Sequence, residues 1–201
     1  MRIFNEKLLK IFSIVLFICY FILLIWIVVF KCNYNSSMLK TYGYFSQMNL
    51  EQRFKFFLVP FNDYFIEPFT QTRMNTFQDD MLNIAIFIPL GLYTSYFIKN
   101  KKFLKTLGIA FILSATFEVF QLFSLVGAFA SKDLITNLLG AILGYLIFRL
   151  IYKKNNGVIR LTILNVLSIF AIITFVPIAI FAIVNTIQDI DIYIEIFTRK
   201  I

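Results

Sequence analysis

An all-α, polytopic membrane helix bundle is the fold class this sequence predicts, with five transmembrane helices and an amphipathic outer loop between helices 1 and 2. Three observations predict it. Of the 201 residues 60% are hydrophobic and 26 are Phe, above the roughly half-apolar make-up of a soluble domain. The apolar residues form continuous runs of about 20, the helical length that crosses a hydrocarbon core, and do not alternate as barrel strands do. Lys and Arg, finally, collect in every second connecting segment, the pattern that orients membrane helices.

The first run, 11–30, follows the basic residues Arg2, Lys7 and Lys10. It is too long for a signal-peptide core and "VVFKCNYNSS" offers no small-x-small cleavage site, so a retained anchor is expected. The second span, 81–98, begins after Asp79 and Asp80. The third covers 106–126, and the fourth 134–152, where Arg149 can reach the interface. The fifth, 161–187, is long enough to tilt, and Pro177 is expected to kink it. No internal repeat is visible and the odd number of spans argues against two inverted halves; residues 1–201 are expected to form one domain.

The long loop before the second span is rich in aromatics, among them Tyr42, Tyr44, Phe45, Phe61, Tyr64, Phe65 and Phe69, too many for a disordered linker. Within it, "NLEQRFKFFLVP" predicts a short helix. Asn49 with Gln52 three residues on forms a capping box, Leu50, Phe54, Phe57 and Leu58 share one side, and Pro60 stops it. Such a helix is expected in the membrane interface with Arg53 and Lys55 toward the head groups.

With the N-terminus inside, the cytoplasmic segments hold eleven basic residues against the single acid Glu6, while the opposite side holds eight basic residues and nine acids. The net charge of +8 is thus read as a topology signal that places the N-terminus in the cytoplasm and the C-terminus outside the cell, and no nucleic-acid partner is expected. Membrane lipids are the expected surroundings. Cys19 and Cys32 lie about 20 Å apart along one helix, beyond disulfide reach. The chain has no His and no Gly-rich phosphate loop, so zinc and haem constellations, a Ser-His-Asp triad and a P-loop are all excluded, and no cofactor, metal or catalytic residue is assigned.

The polar residues inside the spans point to a site. In "LSATFEVFQLFSL", Ser114, Glu118 and Gln121 share a face by i, i+4 and i, i+3 spacing. At the same depth the second span begins with Asp80 and, one turn in, Asn83; the fourth begins with Asp133 and, one turn in, Asn137. Three helices therefore each bring a carboxylate and an amide to the outer leaflet, where groups this costly to insert meet a partner or a polar cavity. Gly140 and Gly144 continue the Asn137 stripe as a seam for close helix approach. Two readings of Glu118 stand: a protonated residue bonding Asn83 or Asn137 to hold the bundle, or part of a site for a ligand or ion.

"DDMLNIAIFIPLG" at 79–91, "EVFQLF" at 118–123 and "DLITNLLGAILGY" at 133–145 resemble the successive signatures of the VanZ-like family of bacterial membrane proteins, named for a protein associated with low-level resistance to the lipoglycopeptide teicoplanin. The resemblance covers about 75 residues. It picks out Asp80, Asn83, Pro89, Gly91, Glu118, Gln121, Asp133, Asn137, Gly140 and Gly144. Where family members commonly carry Gly-Arg and then Asp, "GAFASKD" has Ala128 and Ala130. The usual cation is therefore missing, and Arg53, Lys55, Arg73 and Lys132 are the candidates to replace it.

Three functions follow as expectations. The resemblance implies a non-enzymatic factor that lowers susceptibility to teicoplanin-type drugs, acting at the outer leaflet near lipid-linked cell-wall precursors or the drug itself. A small proton-coupled lipid or solute transporter or flippase, as a homodimer, is the alternative, with Glu118 as its switch. A membrane enzyme on a lipid-linked substrate would use Glu118 as acid or base, but lacks an evident nucleophile.

Overall fold

A computed structural model describes residues 2–29, 47–58, 71–98, 102–124, 130–154 and 157–188, all but a few of them helical. The helices are α1 (Arg2–Val29), α2 (Leu50–Leu58), α3 (Gln71–Phe97), α4 (Lys102–Ser124), α5 (Ser131–Lys154) and α6 (Gly157–Gln188). The aromatics from Tyr42 to Phe45 and from Phe61 to Phe69, Ala128 and the tail from 189 onward lie outside the described residues, as do the side chains of Phe57, Arg73 and Asn185.

Among the described residues, four helices are long and apolar enough to cross a membrane, over Glu6–Val28, Phe103–Phe123, Ser131–Lys153 and Gly157–Phe181. The expected count of five is therefore corrected to four: the segment 81–98 lies in α3, which is not among them. The reason is its place in the bundle. Asn83, Thr94 and Ser95 interrupt its apolar sequence, and these side chains are buried among the other helices together with Ile86, Phe87, Leu90 and Tyr93. A helix enclosed on most sides does not need an apolar surface all round. The spanning helices do keep one, with Ile22, Ile112 and Phe170 among the large apolar side chains left on their outer faces. This is the construction of a membrane protein.

The core is built on α3 and α5, the most extensive helix pair. A Cβ on Gly91 would lie 2.2 Å from the Ala141 carbonyl oxygen, on Gly140 2.2 Å from that of Ile84 and on Gly144 2.1 Å from that of Ile88. The two backbones touch only because those three positions carry no side chain. On the far side of α3, Tyr20 of α1 donates to the Ile86 carbonyl, one turn before the helix-interior Pro89, and Tyr93 donates to Ser168 of α6. Between α1 and α6, Ser13 donates to Asn165. Hydroxyl and amide contacts of this kind hold membrane helices together where apolar side chains gain nothing over lipid.

The short helix α2 forms as its sequence predicts. Gln52 N–H donates to Asn49 Oδ1 and Asn49 N–H to Gln52 Oε1, each at 2.9 Å, the reciprocal bonds of a capping box. Contacts near the two termini of the spans define two ends of the bundle. Glu6 of α1 lies beside Gly157 at the start of α6, and Lys7, Lys10, Lys105 and Arg149 belong to this end; here Arg160 sits 3.8 Å over the Tyr152 ring. The opposite end holds Asp80, Glu118 and Asp133.

Candidate functional site

The site is assembled where α3 and α5 begin and α4 ends. Asp80 and Asn83 stand on the third and fourth turns of α3, and Asp133 and Asn137 on the first two turns of α5. Parallel packing along the glycine seam, in which Gly140 meets Ile84 and Gly144 meets Ile88, brings these pairs level. Asn83 Nδ2 donates to Asp133 Oδ1 at 2.9 Å and to Thr136 Oγ1 at 3.3 Å, so an amide of one helix clamps two side chains of the other. All of Asp80, Asn83, Glu118, Gln121, Asp133 and Asn137 are at most 3% exposed.

From α4 come three side chains on one stripe. Ser114 Oγ accepts from Asn137 Nδ2 at 2.9 Å. One turn on, Glu118 Oε2 accepts from the backbone N–H of Ala130 at 2.8 Å. Ala130 immediately precedes α5 and its carbonyl accepts from Asp133 N–H, so the carboxylate of Glu118 sits at the N-terminal end of α5, where the peptide dipoles favour an acidic group. Asp133, in the first turn of that helix, gains from the same field. Gln121 Nε2 donates to the Val28 carbonyl of α1 at 2.8 Å, joining a fourth helix to the cluster.

Of the four cations proposed for the missing Arg, Lys132 lies in the site: its Nζ is 3.7 Å from Asp80 Oδ1, with side chains only 13% and 5% exposed. Arg53 reaches the rim, where its guanidinium donates to the Leu122 carbonyl at 3.4 Å near the C-terminal end of α4, an electrostatically favourable place for a cation. Lys55 instead pairs with Glu51, both about three-quarters exposed, and lies away from the cluster. The side chain of Arg73 is outside the described residues.

Two acceptors stand out. Gln121 Oε1 and Asn137 Oδ1 are buried and have no hydrogen-bond partner among the described residues, and a buried amide oxygen left this way is costly. Sequence reasoning missed Thr136, which lies one residue before Asn137 on the buried side of α5. It also had no means of naming the backbone groups of Val28, Leu122 and Ala130, since any residue can supply them. Among the described residues no three His, Cys, Asp or Glu side chains are grouped to hold a metal ion.

The family model VanZ/LLP1 matches residues 17–152, which hold every residue of the cluster. The chain belongs to the VanZ-like family. Protein VanZ of Enterococcus faecium is 34% identical over 147 residues, covering 73% of this chain and 80% of that relative. No solved structure matches the chain. The VanZ-like part takes in the C-terminal part of α1, all of α2 to α4 and α5 as far as Tyr152, whereas α6 lies beyond the matched segment.

Proposed function

We propose that this VanZ-like protein is a non-enzymatic factor of the cell envelope that lowers susceptibility to teicoplanin-type lipoglycopeptides, and that the cluster at the end of α3, α4 and α5 is its working site. The observation that carries this reading is the pair of buried amide oxygens on Gln121 and Asn137, lying with the Glu118 carboxylate on the α4–α5 seam. A site that offers acceptors suits a ligand bearing N–H or O–H donors, such as the amides, sugars or ammonium group of a lipid-linked wall precursor or of the drug. It suits a bare phosphate poorly, because Lys132 is already engaged by Asp80.

The orientation belongs to the same proposal. Lys7, Lys10, Lys105 and Arg149 at one end of the bundle support placing that end in the cytoplasm. The N-terminus is then cytoplasmic, the cluster faces the outer leaflet, and α6, which runs alongside α1 from the basic end, carries the C-terminus outward. We treat the chain as one domain, since α6 packs on α1 and α3 inside the same bundle.

The test is drug susceptibility. Expressed in a susceptible Gram-positive host, the native chain should raise the inhibitory concentration of teicoplanin and leave that of vancomycin unchanged, and Glu118→Gln at matched membrane levels should abolish the rise. A native chain that protects against neither drug would overturn the proposal.

A further inference from the structure

A second site lies away from the polar cluster. Between α1, α3 and α4 a groove of about 450 Å³ opens on one side of the bundle, within the range of about 300–1,000 Å³ that ligand pockets occupy. Its walls are Phe17 and Phe21 of α1, Leu90 and Phe97 of α3, and Ile109 and Leu113 of α4. Thr94 also lines it, but the Thr94 hydroxyl is turned back to the Leu90 carbonyl at 2.7 Å and to Thr106 at 3.2 Å. The groove therefore presents no hydrogen-bonding group to an occupant, and a site so apolar does not hold water.

Two of its walls, α1 and α4, are membrane-spanning helices whose neighbouring side chains, Ile18 and Ile112 among them, are exposed apolar surface. The mouth consequently opens into hydrocarbon. Charge enters at one end only. Lys105 is exposed and lies one turn before Ile109 on the same face of α4. Lys10 stands two turns before Phe17 on α1 and is matched by Glu6 at 3.1 Å, so of the two lysines that head these walls Lys105 is the one with no ion pair among the described residues.

The geometry points to a phospholipid site: the groove holds one acyl chain of an anionic membrane phospholipid, whose head group lies over Lys105. The aromatic rings of Phe17, Phe21 and Phe97 grip the chain, and the ammonium of Lys105 selects the head group, as basic residues at the edge of a membrane span attract anionic lipids. This site is independent of the polar cluster and of the drug-related function proposed for it.

Native mass spectrometry of the full-length protein, given equal amounts of phosphatidylglycerol and phosphatidylcholine with matched acyl chains, tests the assignment. One phosphatidylglycerol is expected to stay bound in preference. Lys105→Gln, at an exposed position that leaves the fold intact, should cut the preference about five-fold, and Ile109→Trp should displace both lipids by filling the groove. Circular dichroism reports whether each variant is folded. Equal retention of the two lipids by the native chain, an unchanged preference in Lys105→Gln, or unchanged retention in folded Ile109→Trp would each overturn the proposal.

Discussion

Asn83 is the residue on which the cluster turns, because its single amide group bonds both Asp133 and Thr136 across the α3–α5 seam. Asn83→Ala removes both bonds in a buried setting and should lower stability by about 1–3 kcal/mol, read as a fall in thermal unfolding temperature in detergent. Asn83→Asp, which sets a second carboxyl against Asp133, should be worse than Asn83→Ala, and a milder effect would show that the contact does not bear on stability. The Lys132–Asp80 pair gives a second prediction. Because the two groups are close and nearly buried, Lys132→Met and Asp80→Asn should couple, the double variant being more stable than the sum of the single losses allows by about 0.5–3 kcal/mol. Strict additivity in a double-mutant cycle would mean that Lys132 does not stand in for the absent Arg.

At the scale of elements, the α3–α5 contact depends on what Gly91, Gly140 and Gly144 lack. Gly144→Leu would drive a side chain into the Ile88 carbonyl, where even a Cβ lies at 2.1 Å; the helices must separate, and the expected outcome is loss of folded protein from the membrane fraction. Gly108→Ala is the control, since a Cβ there meets nothing within 4 Å, and it should be neutral or stabilising by about 0.5–1 kcal/mol. Equal yields of the two variants would refute the close crossing. The capping box of α2 is a smaller effect: Asn49→Ala removes the acceptor of Gln52 N–H and should weaken the helix by about 1 kcal/mol, visible as faster hydrogen exchange over 50–58.

For the whole molecule the polar cluster and the basic ends lie at opposite faces of the bundle, and this polarity is open to a direct test. In a chain freed of Cys19 and Cys32, cysteines placed at Lys55 and at Lys105, both exposed, should behave oppositely on intact cells: a membrane-impermeant maleimide should modify the first and not the second. Labelling of the Lys105 position would reverse the orientation and put the cluster in the cytoplasmic leaflet. Native Cys19, exposed in mid-helix on α1, should resist the same reagent because its surroundings are hydrocarbon.

Helix type, the four apolar spans, the capping box of α2, the glycine seam and the burial of Glu118, Gln121, Asn83 and Asn137 were all legible in the sequence, since each follows from local composition or from helical spacing between residues a turn or two apart. The number of helices apolar enough to span was not, because a helix enclosed by its neighbours, as α3 is, keeps polar residues that a lipid-facing helix cannot, and enclosure is a property of the packed bundle. The same holds for the partners within the cluster. Asn83 could have met Glu118 as readily as Asp133, and which of Arg53, Lys55 and Lys132 approaches Asp80 depends on helix rotation and on where the chain before α5 turns. The sequence by itself determined a membrane-embedded α bundle with acidic and amide groups gathered near one end; only tertiary structure decided that Glu118 closes on the Ala130 N–H, Asn83 on Asp133 and Thr136, and Lys132 on Asp80, because hydrogen bonds act over about 3 Å and no spacing along the chain sets distances between helices that finely.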